Sequence, residues 1–254
     1  MALPRTPSFR LDGKRALVTG GTRGIGLGAA VALAEAGAEV TIAARTSVDI
    51  ERVVNEMAEA DLAAEGVALD ITDSATVAAF IADVEPFQVL VNSAGTARHS
   101  AFAGITPANY QAVMDLNVTA TLFVSQAVVG KLVAAGLPGS IIHVSSQMGH
   151  VGGPSRAVYA ASKWAVEGLS KAMAIELGAQ GIRVNTVCPT FIETELTAKN
   201  LSDPEFREWV LGKIKLGRLG RIEDIMGPIV FLASDAAALV TGASLLVDGG
   251  WTAE

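Results

Sequence analysis

The chain predicts an α/β fold: a doubly wound parallel sheet of about seven strands with helices on both faces, in a single domain. Three observations carry this expectation. Short apolar runs alternate with helix-period patterns along the whole length. The first run breaks into a glycine-rich turn at the head of a helix. A later run ends in two serines, a short loop and a helix that opens with Tyr159 and Lys163. Strands that alternate with helices call for right-handed crossovers and a sheet covered on both sides.

The elements follow in order. After a short polar arm, Arg15 to Val18 is apolar and runs into Thr19-Gly20-Gly21-Thr22-Arg23-Gly24-Ile25-Gly26, with a helical pattern onward through Leu27, Val31 and Leu33 to Gly37. Val40 to Ala43 reads as the second strand, and Ile50, Val53, Val54 and Met57 then fall at i, i+3, i+4 and i+7 of a helix. A third strand, Val67 to Leu69, ends at Asp70. Val77, Phe80, Ile81 and Val84 repeat the helical spacing, and a fourth strand, Val89 to Val91, breaks into Asn92-Ser93-Ala94-Gly95.

From Thr106-Pro107 a long helical pattern reaches about Ala135 and carries Asn117 in apolar surroundings. A buried amide needs hydrogen-bond partners. Ile141 to Val144 is the fifth strand and Arg183 to Val187 the sixth, ending in Cys188-Pro189-Thr190-Phe191-Ile192-Glu193-Thr194. Residues 194–220 are more polar and read as a helical excursion off the sheet, a candidate substrate lid. A last helix, Glu223 to Ala233, leads to a seventh strand, Ser244 to Val247.

Tyr159 and Lys163 stand four residues apart, so the phenol and the ammonium share one helix face. A free tyrosine titrates near ~10, and a lysine beside it favours the phenolate, which makes Tyr159 a candidate acid and base. The preceding serines sit where a strand would end, the edge at which open parallel sheets bind ligands. With a dinucleotide at the glycine turn the group becomes a hydride-transfer centre. The glycines allow close backbone approach and the helix N-terminus offers N–H groups to a pyrophosphate. The second strand ends Ala43-Ala44-Arg45-Thr46 without an acid until Asp49, and Arg23 lies in the turn nearby. Arginine accommodates a ribose 2'-phosphate where a carboxylate would repel it, so NADP(H) is the expected cofactor, with NAD(H) the alternative.

Composition narrows the class. A net charge of -7 and a pI near 5.1 argue against nucleic acid as a partner. No uninterrupted apolar run of membrane-spanning length stands out and the first nine residues lack a signal-peptide core, so a cytoplasmic protein with no membrane partner is expected. The single cysteine, Cys188, lies in an apolar run and reads as a buried structural thiol. His99, His143 and His150 lack ligand spacing, so no metal is expected. Around the expected pocket stand Arg98, His99, Gln147, Met148, His150, Arg156 and Phe191, of which Arg98, Gln147, His150 and Phe191 are the candidate substrate residues. Such a polar and basic rim suits a polyhydroxy carboxylate.

Together these motifs resemble the short-chain dehydrogenase/reductase family over about residues 9–252, which implies a Rossmann-like sheet. Thr19-Gly20 with Gly24 and Gly26 resembles the family's cofactor glycine motif, and Asp70 its adenine-contacting acid. Asn92-Ser93-Ala94-Gly95 resembles its N-N-A-G element with serine for the second asparagine. The resemblance implies that Asn117, Ser146, Tyr159 and Lys163 are catalytic, Ser146 being thirteen positions before the tyrosine. Cofactor contacts are implied for Gly20, Thr22, Arg23, Gly24, Ile25, Gly26, Arg45, Asp70, Ile71, Asn92, Ala94, Gly95, Tyr159, Lys163, Pro189, Ile192 and Thr194, although Thr190 replaces a usual glycine in that last segment.

In this reading Ser146 holds the carbonyl oxygen and Tyr159 protonates it. Lys163 lowers the tyrosine pKa and bonds the nicotinamide ribose, and Asn117 holds a relay water. The Phe9 to Thr19 opening, the Thr96-Ala97-Arg98-His99 loop and the Gly-Gly-Trp ending are similar to gluconate 5-dehydrogenases and related keto-sugar-acid reductases, which implies a small carbonyl or alcohol substrate. A homotetramer is implied in the same way. Beta-ketoacyl carrier-protein reductases are the runner-up, expected to show a basic docking patch for which Lys213/Lys215 and Arg218/Arg221 are the available residues. A non-catalytic dinucleotide-binding regulator would be expected to lack one of the four catalytic side chains, and all are present.

Overall fold

The computed structural model describes residues 3–253, and of residues 196, 199 and 200 the backbone alone. Its strands are β1 (Arg15–Thr19), β2 (Glu39–Ala44), β3 (Ala64–Ala68), β4 (Val89–Asn92), β5 (Gly139–Val144), β6 (Ile182–Pro189) and β7 (Ser244–Val247). They form one sheet in the order β3-β2-β1-β4-β5-β6-β7, and every neighbouring pair is parallel. The winding reverses between β1 and β4. A crevice opens at such a switch point beyond the carboxyl ends of the strands, and the rest of the fold places side chains there.

The helices are α1 (Gly24–Glu35), α2 (Ser47–Glu59), α3 (Ser74–Asp83), α4 (Pro107–Met114), α5 (Ala120–Ala135), α6 (Ala157–Leu177), α7 (Glu195–Leu201), α8 (Pro204–Lys213) and α9 (Glu223–Ala233). Alternation along the strands builds a core on each face. Ala16, Val18, Val89, Val91 and Ile142 meet α1, α2 and α9 on one side. Leu17, Leu90, Ile141 and Val184 meet α3, α5 and the end of α6 on the other. The Asp73 side chain caps α3 and the Asp203 side chain caps α8, each by accepting from two N–H groups of the first turn. Gly136, at φ 65°, ends α5 in the left-handed conformation.

The third strand differs from expectation: it spans Ala64–Ala68 rather than Val67 to Leu69. An edge strand draws its registry from main-chain pairing with Val40–Ala44 and from Thr41 Oγ1 donating to Glu65. Its polar residues hide it from an apolar-run reading. The long helix after Thr106 is also not uniform. Between α4 and α5 lies a π-helical bulge, Asp115–Thr119, with Asn117 at its centre. By length and composition the stretch Pro107–Ala135 is apolar enough to cross a bilayer, although Asp115, Asn117, Ser125 and Lys131 interrupt it, so it holds no uninterrupted apolar run of that length. Here Val113, Ala120, Val124, Val128 and Leu132 of that stretch are buried within the fold.

His143, on β5, is buried between two hydroxyls, with Nε2 3.1 Å from Ser125 Oγ and Nδ1 2.8 Å from Ser170 Oγ. Burial pushes it from the ordinary 6.5 down to about 4, with Glu167 pulling up and Lys163 pushing further down. Between these values the unfolded chain binds the proton and the folded one does not. Stability from this group is therefore full above pH 6.5 and is lost as the pH falls toward 4, by ~3 kcal/mol. Chemical denaturation across that window is expected to show a steeper acid loss for the wild type than for His143→Gln. Equal slopes would remove His143 from the acid response.

Candidate active site

The glycine turn sits at the switch point. Gly20 has φ 68°, and a Cβ there would lie 2.8 Å from Ala94 Cα, so the turn and the Asn92–Gly95 segment are in backbone contact. Thr19 Oγ1 accepts from the N–H groups of Ser93 and Ala94 and ties the two together. A Cβ on Gly26 would lie 2.2 Å from Gly20 O, so α1 begins hard against the turn. Arg23 precedes α1 with extended backbone and no side chain caps the helix, which leaves the N–H groups of its first turn facing the crevice. Across the gap Thr194 approaches Gly24, and Arg23 lies 4.0 Å from Glu195. This is a cradle of dinucleotide type, and the residues present fit such a cofactor.

At its far end, Asp70 follows β3 and accepts from the Thr72 N–H and hydroxyl. These bonds hold its carboxyl below the usual range, and the charge of exposed Arg45 adds to them. The two side chains therefore stand near each other beyond the carboxyl ends of β2 and β3.

The four expected catalytic residues arrive from three directions. Ser146 follows β5, where its Oγ accepts from Met148 N at 3.1 Å and donates to Gln147 Oε1 at 2.8 Å. Tyr159 and Lys163 ride on α6, and Lys163 Nζ donates to Val144 O at 2.8 Å. Asn117 comes from the π bulge. Its Oδ1 accepts from Thr96 N at 2.8 Å, and its Nδ2 donates to Thr96 O at 2.9 Å and to Ser162 Oγ at 3.0 Å. The buried amide is thereby satisfied by protein. A Cβ on Gly95 would lie 3.2 Å from Asn117 Oδ1 and 4.0 Å from Lys163 Nζ, so the β4 loop, the bulge and α6 converge there. Ser162 is a member the sequence reading missed: buried, it bonds Asn117 and donates to Tyr159 O at 2.7 Å.

The electrostatics correct one expectation. Crowding by protein raises the Tyr159 pKa above its ordinary value, and a hydrogen bond with Ser146 and the charge of Arg156 pull the other way. The lysine is not what opposes the burial. Lys163 is itself depressed to about 8 by burial, against the pull of Cys188 and Glu167. Its ammonium lies 5.7 Å from the centre of the tyrosine ring. Before a ligand enters, this site holds a protonated phenol, which suits donation to a carbonyl oxygen.

The candidate substrate residues divide. Gln147 is buried beside Ser146, and Phe191 stacks on Trp251 at 5.7 Å. Arg98 is exposed and donates to Asn109 Oδ1, while His99 meets the Tyr159 ring edge-on at 6.1 Å. His150 is engaged elsewhere: its Nε2 lies 3.4 Å from Cys188 Sγ and 3.7 Å from Glu167 Oε1, and its ring faces Trp164. Histidine, carboxylate and thiol thus come together from positions too far apart in sequence to suggest it, with ligand atoms within 4.8 Å of one another. Burial and the neighbouring carboxylate push the Cys188 thiol up to about 12, and it donates to Glu167 at 3.3 Å. In this arrangement the thiol serves as a hydrogen-bond donor to the carboxylate.

Beyond β6, Glu193 N donates to Gly220 O and Gly220 N to Phe191 O, both at 2.9 Å, which clasps the base of the excursion that carries α7 and α8. Phe206 and Trp209 of α8 pack on Phe191 and Trp251 at 5.5–5.7 Å, roofing the side of the crevice next to Tyr159.

Comparison with known proteins agrees with this architecture. A family model described as enoyl-(acyl carrier protein) reductase matches residues 20–252. A D-erythrulose reductase from Gallus gallus is 42% identical, the match covering 96% of this chain and 98% of that protein. Gluconate 5-dehydrogenase from Gluconobacter oxydans is 36% identical, with 96% of each chain covered. The crystal structure of a gluconate 5-dehydrogenase from Burkholderia cenocepacia, in complex with NADP and tartrate, superposes with a TM-score of 0.93 at 37% identity, covering 97% of this chain and 98% of that one. The family-model match over residues 20–252 and relatives matched over nearly their full length leave one assignment: the chain belongs to the short-chain dehydrogenase/reductase family.

Proposed function

We propose that the protein is an oxidoreductase that interconverts a secondary alcohol and a ketone on a sugar acid or polyol such as gluconate and 5-ketogluconate, with NADP(H) preferred. The observation that carries the reading is the convergence of Ser146, Tyr159, Lys163 and Asn117 beside the glycine cradle at the switch point. Bound NADPH would supply the hydride. Ser146 then holds the carbonyl oxygen, and Tyr159 gives that oxygen its proton as negative charge develops. Lys163 would hold the nicotinamide ribose, the Ser146 hydrogen bond and the charge of Arg156 favour the phenolate left behind, and Asn117 anchors the route by which the proton is replaced.

A bound dinucleotide would be held along Gly20, Thr22 to Gly26, Asn92, Ala94, Gly95, Pro189, Ile192 and Thr194, with Asp70 and Ile71 toward its adenine. Arg45, exposed at the end of β2, supports the NADP preference by facing a 2'-phosphate. Residues 194–220 act as a lid. The apolar side chains left exposed on α5 and α6, among them Phe123, Val133, Trp164 and Ile175, together with Leu246 of β7, support a homotetramer. A cytoplasmic site of action belongs to the same proposal and is consistent with one free buried thiol.

The test follows reduced-nicotinamide absorbance with purified protein, offering gluconate with NADP or NAD against an acetoacetyl thioester with NADPH. Turnover of gluconate, faster with NADP, is the expected result, and Arg45→Ala should shift the NADP/NAD ratio of kcat/KM toward NAD by about ten-fold. Turnover of the thioester alone would make the protein a ketoacyl reductase. An unchanged ratio would remove Arg45 from cofactor choice.

A further inference from the structure

Arg156 stands three residues before Tyr159, at the residue that opens α6. Its side chain is only 7% exposed, yet among the described residues no carboxylate faces it. One of its five N–H donors is used, by Pro154 O at 3.0 Å. The guanidinium lies among aromatics, its Cζ 5.4 Å from the centre of the Phe191 ring and 5.2 Å from that of Phe206. Its charge acts on both Tyr159 and His99, which places it at the reacting end of the pocket.

A cation taken out of water without a counter-ion is costly, and arginine stays charged even when buried. Aromatic faces compensate for only part of that cost. The lost partner is then supplied from outside the chain, by a group that fits a planar fork of donors. A carboxylate is such a group. Arg156 immediately precedes α6, whose first turn carries Tyr159, and its charge acts on the phenol, so the two groups stand close together. One short polyol chain can therefore place its acid end on Arg156 while its carbinol carbon lies against Tyr159.

We propose that Arg156 is a specificity-determining residue that binds the carboxylate of the substrate, so that the site takes aldonic acids and their keto forms in preference to neutral polyols and ketoses. The inference deepens the sugar-acid reading above and rests on it. Phe191 and Phe206 shield the fork from water and leave its remaining N–H donors for the acid end.

The experiment measures kcat/KM with gluconate and with a neutral ketose of similar length for wild type, Arg156→Gln and Arg156→Lys. In parallel, calorimetry titrates gluconate and sorbitol into each protein with NADP present. The acid-to-neutral ratio is expected to fall by about thirty-fold in Arg156→Gln, carried mainly by KM, and by less in Arg156→Lys, which keeps the charge and loses the fork. Gluconate binding should weaken by a similar factor while sorbitol heats change little. A ratio unchanged because both substrates fall together would show that Arg156 only props the aromatic wall, and would overturn the proposal. If the wild type turns over neither compound, the reading of function has failed. The calorimetry then decides this proposal alone: Arg156-dependent gluconate binding supports it, and absent or Arg156-independent binding overturns it.

Discussion

Replacing Tyr159 by phenylalanine is expected to lower turnover by about 10²–10⁴-fold while dinucleotide binding stays within about two-fold. The ring contacts with His99 and the neighbouring aromatic wall are apolar and survive the change. What is lost is the phenolic proton, which burial keeps on the ring and which the proposed mechanism gives to the forming alkoxide. Stopped substrate turnover, with NADPH fluorescence titration as the control for binding, checks both halves. Retained turnover would move the acid to another residue, and Lys163, depressed to about 8, is the neighbouring group able to take that role.

The second large effect is structural and falls on the cofactor. A methyl group on Gly26 would sit 2.2 Å from Gly20 O and 2.8 Å from its carbonyl carbon, both main-chain atoms with no rotamer to move. Gly26→Ala must therefore pry the glycine turn from α1. The expected cost is about 1–3 kcal/mol of stability, with NADPH affinity reduced by at least about ten-fold, because the same atoms shape the phosphate cradle. Thermal melting with and without NADPH reports both quantities. Gly168→Ala, inside α6 where an added Cβ meets nothing within 4 Å, is the control expected to leave NADPH affinity unchanged and to raise stability by about 0.5–1 kcal/mol. Equal behaviour of the two variants would contradict the close approach.

Much of this was legible in the sequence because the relevant signals are local. Buried parallel strands read as short apolar runs, the glycine turn declares itself by composition, and a Tyr and a Lys at i and i+4 share a face on any helix. What stayed hidden depends on contacts across the fold. The π bulge around Asn117 adds one residue to a turn without altering the apolar pattern. Ser162 looked like filler between Tyr159 and Lys163 until its hydroxyl was seen to join Asn117 to Tyr159 O. His150 read as a pocket residue, yet it meets Cys188 and Glu167, which come from β6 and α6. The tyrosine pKa was expected to fall beside a lysine. It rises, because burial outweighs the charge nearby, and that charge belongs to Arg156. Arg156 itself was visible as one basic residue of a rim, but only the fold reveals that it is buried with no acid of its own.

The central claim is hydride transfer at the group formed by Ser146, Tyr159 and Lys163. The most direct measurement supplies NADPH deuterated at the transferring position together with 5-ketogluconate and reads the product by mass spectrometry. One deuterium is expected on the new carbinol carbon, at a rate that collapses in Tyr159→Phe. Product without deuterium, or deuterium transfer that Tyr159→Phe leaves untouched, would contradict it.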